Sequence, residues 1–305
     1  MTDQLARLLV DSACILGEAP LWVPEAGCLY WLDIEAQRLW RLRPGEAAAS
    51  LPLPGPASFL VRASSGKLIA GMDRGFVLLD PAEGRVRSLC EPLAAPEGTM
   101  MNDGKADRQG RIVGGAKDRG ERSPAAPAFR LDAAGLRAFP GAYTVFNGPA
   151  FSPDGSRIYF ADSPSKVIQT AGYDPESGEV GRPEPFAVLG PDEGYPDGMT
   201  VDCNGGLWNA QWDGWRITRY HPGGERDRSV ALPVPRPTSL AFGGAGFETL
   251  FITTARSRLD PESLAAAPLS GGLFALEPGE RGLEEACVPL VPPLAAWSGE
   301  ARRCA

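Results

Sequence analysis

Along this chain apolar and polar residues alternate in short runs rather than recurring at helical spacing, and the runs come in pairs. Residues 28–33 (Cys-Leu-Tyr-Trp-Leu-Asp) are followed by 37–42, 68–71 by 75–80, 112–116 by 128–132, 156–162 by 167–174, 207–212 by 215–220, and 249–254 by 272–276. A turn rich in Gly, Asp or Pro opens each pair, as in Ser-Pro-Asp-Gly at 152–155 and Asp-Cys-Asn-Gly-Gly at 202–206. Period-two alternation bounded by turn formers predicts β-strands. The turn glycines fall at 27, 66, 110, 155, 205 and 246, giving steps of 39, 44, 45, 50 and 41 residues. Self-similarity at that period marks a β-propeller, whose blades are small antiparallel sheets arranged in a ring. Six copies fill the sequence. The expected architecture is therefore all-β, a six-bladed β-propeller forming one domain over residues 1–305. A single short helix is expected at 261–267, in the insert that lengthens the last repeat. The runs Leu8–Leu16 and Ala286–Val291 lie outside the repeats and are expected to pair in one blade and close the ring.

Composition sharpens this picture. The 37 glycines and 30 prolines make up about 22% of the chain, against about 12% in ordinary proteins. With 43% hydrophobic residues, that describes many turns around a real core. The net charge of −8 repels phosphate backbones and argues against nucleic-acid binding. No apolar stretch reaches the roughly 18 residues of a membrane span, and residues 1–11 lack the apolar run of a signal peptide. The expectation is a cytoplasmic protein without membrane contact, a monomer or weak oligomer. Its six cysteines are scattered and form no CxxC pair, which points to free thiols rather than a zinc knuckle or disulfide framework. The only histidine, His221, lies in the turn sequence Tyr-His-Pro-Gly-Gly. A His-rich zinc site is thereby excluded, and a Ser-His-Asp triad would have to run through a surface turn.

Four segments break the alternation by placing an acid or amide beside Gly or Pro: 16–22 (Leu-Gly-Glu-Ala-Pro-Leu-Trp), 100–105 (Met-Met-Asn-Asp-Gly-Lys), 146–151 (Phe-Asn-Gly-Pro-Ala-Phe) and 195–199 (Tyr-Pro-Asp-Gly-Met). Taken singly, Asn-Gly and Asp-Gly are turn formers. Their spacing says more. Glu18 precedes its repeat glycine by 9 residues, and Asn102, Asn147 and Asp197 precede theirs by 8. Equivalent offsets put these four at equivalent places in successive blades, facing the common axis. Two carboxylates meeting in a partly buried channel resist ionisation together, and a divalent cation removes the conflict. Carboxylate and amide oxygens are hard ligands, which favours Ca²⁺ first, with Mg²⁺, Mn²⁺ and Zn²⁺ as alternatives. Four protein oxygens leave coordination open to water or substrate, as a catalytic metal requires.

These motifs resemble the senescence-marker-protein-30/gluconolactonase/luciferin-regenerating family. The resemblance runs from Leu16 to about Leu276 and rests on residues 17–22, 102–111, 147–155 and 195–199. It implies a six-bladed propeller with one divalent metal at the axis, ligated by Glu18, Asn147 and Asp197. It further implies that Asn102 contacts substrate or completes the metal shell, and that Asp197 is the general base. The implied substrates are aldonolactones; some members of the family hydrolyse phosphotriesters or other esters. The sequence departs from the family at Met100, where an Arg often grips the substrate, and at 117–120, which reads Lys-Asp-Arg-Gly. Met100 is accordingly a candidate substrate contact of altered character. The expected activity is metal-dependent hydrolysis of a sugar lactone to the aldonic acid. The rivals are a phosphotriesterase or general esterase on the same site, with Met100 and Met101 in an apolar pocket, and a non-catalytic calcium-binding propeller.

Overall fold

The computed structural model describes residues 5–90 and 94–290. It is nearly all β: six sheets, antiparallel but for one added strand, follow one another along the chain as a six-bladed β-propeller. Blade 1 is built from residues 17–52, blade 2 from 57–88, blade 3 from 99–143, blade 4 from 146–188 and blade 5 from 195–231. Blade 6 takes three strands from residues 237–276 and its outermost strand, Arg7–Val10, from the start of the described chain. One α-helix occurs among the described residues, Pro261–Ala266, capped by the Asp260 side chain, which accepts from the Ser263 N–H at 2.7 Å.

The paired runs read from the sequence are the second and third strands of each blade. Cys28–Asp33, Leu207–Trp212 and Thr249–Thr254 have the boundaries expected of them. The innermost strands are the segments that broke the alternation. Gly17–Val23, Thr99–Ala106, Phe146–Phe151 and Tyr195–Val201 are strands in their own right, not connections preceding one.

The core is divided among the blade interfaces. Leu32, Leu39, Leu60 and Ala70 pack blade 1 on blade 2. Phe76, Met101 and Phe129 join blades 2 and 3, and Phe139, Phe146 and Phe160 join blades 3 and 4. Tyr159, Met199 and Leu207 lie between blades 4 and 5, Trp208, Phe242 and Phe274 between 5 and 6, and Trp22, Trp31 and Phe251 between 6 and 1. Six blades with six apolar interfaces are a closed ring; an open array would have five. Burial in these seams, rather than in one central core, is what holds the ring together.

The expectation for the chain ends needs correction. The strand Arg7–Val10 does close the ring, paired with Leu273–Leu276. The C-terminal run does not join it. Cys287–Val288 pairs in parallel with Arg62–Ala63 at the inner edge of blade 2, and Val291 lies outside the described residues. Buried Arg62 dictates this placement. It donates to the Glu284 carboxylate and to the Glu285 carbonyl at 2.7 Å, and it also pairs with Glu25. A guanidinium taken out of water must be paired, and Glu284 and Glu285 bring that pairing from the segment just before Cys287.

Candidate active site

Every inner strand carries a β-bulge against its neighbour. In four blades the bulge falls on the residues singled out above: between Glu18 and Leu21, Met101 and Asp103, Asn147 and Ala150, and Pro196 and Met199. Blades 2 and 6 have the same irregularity at Ala57/Phe59 and Pro237/Ser239. A bulge re-aims side chains away from strict alternation. Here it turns polar residues into the axial channel while their apolar neighbours stay in the seams. The residues after Glu18 and Asn147 take left-handed backbone, with φ of 50° at Ala19 and 66° at Gly148. Gly148 has a second reason to lack a side chain: a Cβ there would lie 2.8 Å from the Asp197 carbonyl oxygen.

Acids at the ends of second strands hold the approach to the site. The Asp33 carboxylate accepts from the Ile15 and Leu16 amides at 2.9 and 3.1 Å, just before Glu18. Asp162 does the same for Thr144 and Val145, just before Asn147. In blade 5 the Asn209 amide donates to the Asp197 carbonyl at 3.1 Å.

Glu18, Asn102, Asn147 and Asp197 all line one cavity of about 410 Å³, within the range of small-molecule sites. The structure thus brings the four predicted residues together. It adds Asp103, whose carboxylate accepts from the Gly104 and Gly148 amides, both at 2.7 Å. It also adds Ser163, whose hydroxyl accepts from Asn147 Nδ2 at 2.8 Å and donates to the Pro196 carbonyl at 2.7 Å. That chain fixes the orientation of the Asn147 amide, and its Oδ1 accepts from Asn102 Nδ2 at 2.7 Å. Asn102 Nδ2 also donates to the Phe146 carbonyl at 2.9 Å.

Met100 is not among the lining residues. It sits opposite Lys117 in the blade 3 ladder, and Lys117 enters the cavity instead. Met101 belongs to the seam between blades 2 and 3, where it is fully buried, so the apolar pocket it was expected to share does not form. The wall above the polar floor is made by Leu16, Ile34, Val145, Tyr195 and Trp212.

Charge is distributed unevenly. Near the mouth the carboxylates have partners: Glu121 with Lys117 and Arg258, and Asp213 with Arg236 at 2.6 Å. On the floor, Glu18, Asp103 and Asp197 form no ion pair among the described residues. Burial, and next the charge of Asp197, push the Glu18 carboxyl well above the usual range. Burial, and next the charge of Asp103, do the same to Asp197. Asp103 is raised by burial and partly relieved by its two backbone donors. Two carboxylates that resist ionising, Glu18 and Asp197, beside the amide oxygen of Asn147, whose side chain Ser163 holds, offer hard oxygen donors that suit a divalent cation. The donor set therefore fits the group that the sequence implied.

Neither Asp103 nor Ser163 was singled out from the sequence. Under strict alternation Asn102 and Asp103 would point to opposite faces, and only the bulge lets both serve the channel. Ser163 follows a second strand and carries no motif.

Comparison with known proteins places the chain. A family model described as the SMP-30/gluconolactonase/LRE-like region matches residues 16–256. The L-arabinolactonase of Azospirillum brasilense is 38% identical, covering 92% of this chain and 94% of that protein. The 6-deoxy-6-sulfogluconolactonase of Pseudomonas putida is 34% identical, over 93% of this chain and 98% of its own length. Among solved structures, regucalcin from Agrobacterium tumefaciens, a calcium-binding protein, superposes with a TM-score of 0.89 at 27% identity over 93% of this chain and 97% of that one. With a match of that extent, the chain belongs to the SMP-30/gluconolactonase/LRE-like family.

Proposed function

We propose that this protein is a divalent-metal-dependent lactonase that opens a sugar lactone to the aldonic acid. A carboxylic-ester hydrolase of lactonase type is what relatives bearing that name, aligned over nearly the whole chain, support. The observation that carries the metal-dependent reading is the meeting of Glu18, Asn147 and Asp197 in one open cavity, where burial and neighbouring acids drive both carboxylates toward their neutral form. The space above that floor favours catalysis over a closed calcium-storage site.

Glu18, Asn147 and Asp197 would hold the cation. Bound there, it supplies Lewis-acid polarisation of a lactone carbonyl and acidification of water. The remaining steps belong to the protein. Asp197, buried on the cavity wall, accepts the proton of the attacking water as the new C–O bond forms. It returns that proton to the ring oxygen as the ring C–O bond breaks. A carboxylate that also holds the cation is a weak base, but it takes its proton from water made more acidic there, so the mismatch between the two shrinks. Asn102, whose Nδ2 is engaged by Asn147 and Phe146, offers its amide oxygen to a ring hydroxyl, and Tyr195 and Trp212 give the sugar's C–H faces an apolar wall.

The test is proton release in a pH-stat by metal-stripped protein, with Ca²⁺, Mg²⁺, Mn²⁺ or Zn²⁺ restored, on five- and six-membered aldonolactones and on a phosphotriester. Metal-dependent opening of at least one lactone, beyond the spontaneous rate, is expected. Turnover of the phosphotriester alone would replace the reading with an esterase.

A further inference from the structure

One ion pair crosses the mouth of the cavity. Glu121 belongs to the loop at 119–125 in blade 3. Arg258 belongs to the long connection of blade 6, between Thr249–Thr254 and Leu273–Leu276. In a ring of six, blades 3 and 6 are opposite members, so a contact between them must pass over the axis. The contact is a two-point one: Arg258 Nη1 donates to Glu121 Oε2 and Nη2 to Oε1, each at 2.8 Å. Lys117 Nζ approaches Oε1 at 3.3 Å from inside the cavity. Both residues line the same cavity as Glu18, Asn147 and Asp197.

Both ends of this bar are anchored. Glu121 and Arg258 each take left-handed backbone, at φ of 52° and 61°. The Asp118 carboxylate gathers the amides of Gly120, Arg122 and Ser123 around the first loop. The second is tied to blade 1, where the Ile15 carbonyl accepts from the Arg256 and Ser257 amides at 3.0 and 2.8 Å and Glu35 accepts from Ser257 Oγ at 2.6 Å. Arg236, itself held by Asp213, donates to the Ser257 carbonyl.

We propose that the Glu121–Arg258 bridge is a size-selecting roof: it admits a lactone of one sugar ring and excludes one that carries a second sugar on its distal end. This rests on the lactonase reading. If the carbonyl is fixed at the carboxylate floor, the far end of the substrate points to the mouth, where the bar lies. A cavity of about 410 Å³ is at the small end of the roughly 300–1,000 Å³ usual for ligand sites. A partly exposed ion pair alone contributes little. The obstruction is steric, and its persistence comes from the two-point geometry and the anchored loops.

The test compares kcat/KM for gluconolactone with that for the disaccharide lactone lactobionolactone, in wild type, Arg258→Ala and the charge-reversed double variant E121R/R258E. Wild type should favour the single-ring lactone. Arg258→Ala should narrow that preference about tenfold, the size of a single pocket contact, and the reversed pair should restore it. The double variant separates a roof from damage to the loops, since only a re-formed bridge recovers selectivity. An unchanged ratio in Arg258→Ala, or a wild type indifferent to size, overturns the roof and leaves the lactonase reading standing. Hydrolysis of no lactone by wild type with any of the four metals overturns both.

Discussion

Replacing Asp197 by Asn should make the cation-free protein more stable and the protein useless as a metal binder. Asp197 and Glu18 hold protons more tightly in the folded protein than ordinary carboxylates do, because burial, and then the charge of Asp103 on Asp197 and of Asp197 on Glu18, penalise ionisation. The folded state therefore binds more protons than the unfolded chain. The stability this gives is fully present below the ordinary carboxylate pKa of about 4 and is lost as pH rises through the elevated folded values. Near neutral pH the cation-free wild type carries that penalty, and Asp197→Asn removes part of it, so the variant should melt higher at about pH 8 and gain nothing near pH 4. Added cation reverses the order. At a concentration about 100 times Kd it stabilises the wild type by about 2.7 kcal/mol. Unfolding entropy of about 2.1 cal/mol/K per residue over 305 residues turns that into a rise of about 4 °C in Tm. Asp197→Asn should keep less than about a quarter of that rise, because it loses a charged ligand from a set of three. Differential scanning calorimetry with chelator and then with Mn²⁺ reads both effects. A cation-free variant less stable than wild type at about pH 8, or one with the full metal response, would refute this reasoning.

Other outcomes follow from single residues. Asn102→Ala should raise KM and lower kcat together while the metal-induced Tm shift survives, since Asn102 reaches Asn147 but is not assigned to the cation; steady-state kinetics beside calorimetry checks this. Gly148→Ala forces a side chain into left-handed backbone and onto the Asp197 carbonyl. It should cost about 1–3 kcal/mol in a urea melt and weaken metal affinity at the same time. Asp202→Asn, far from the chemistry, breaks a buried pair in which Arg219 Nε donates at 2.8 Å and Trp208 Nε1 at 3.0 Å. A loss of about 3–5 kcal/mol in stability, with kcat of the folded fraction unchanged, is expected.

Much of this molecule was legible in the order of its residues. The second and third strands of each blade could be read because they are short apolar runs bounded by turn signals: Cys28–Asp33 is buried along its whole length and keeps its turn signals on both sides. The inner strands could not be read as strands, because Gly, Pro, Asn and Asp at their bulges erase the alternation. The same disruption is what made Glu18, Asn102, Asn147 and Asp197 conspicuous. Spacing then placed them at equivalent positions, and the axis brought them into one cavity. Residues whose role depends on a neighbouring blade left no trace in local sequence. Ser163 orients Asn147 from the end of another strand, and Arg258 meets Glu121 only because the ring closes. Met100 drew notice as a departure from a motif, yet the ladder gives its expected place in the cavity to Lys117. The fate of the C-terminal run was hidden for a similar reason: its partner, Arg62, is more than 200 residues away and buried.

The most direct test is an anomalous-scattering map of crystals grown with Mn²⁺ at a concentration that supports turnover. One peak should lie against Glu18, Asn147 Oδ1 and Asp197, at distances of about 2.0–2.6 Å, and it should vanish in Asp197→Asn. A peak elsewhere, or none in crystals of protein shown to be active under the same conditions, would contradict the assignment of these three residues as the metal-binding floor of the active site.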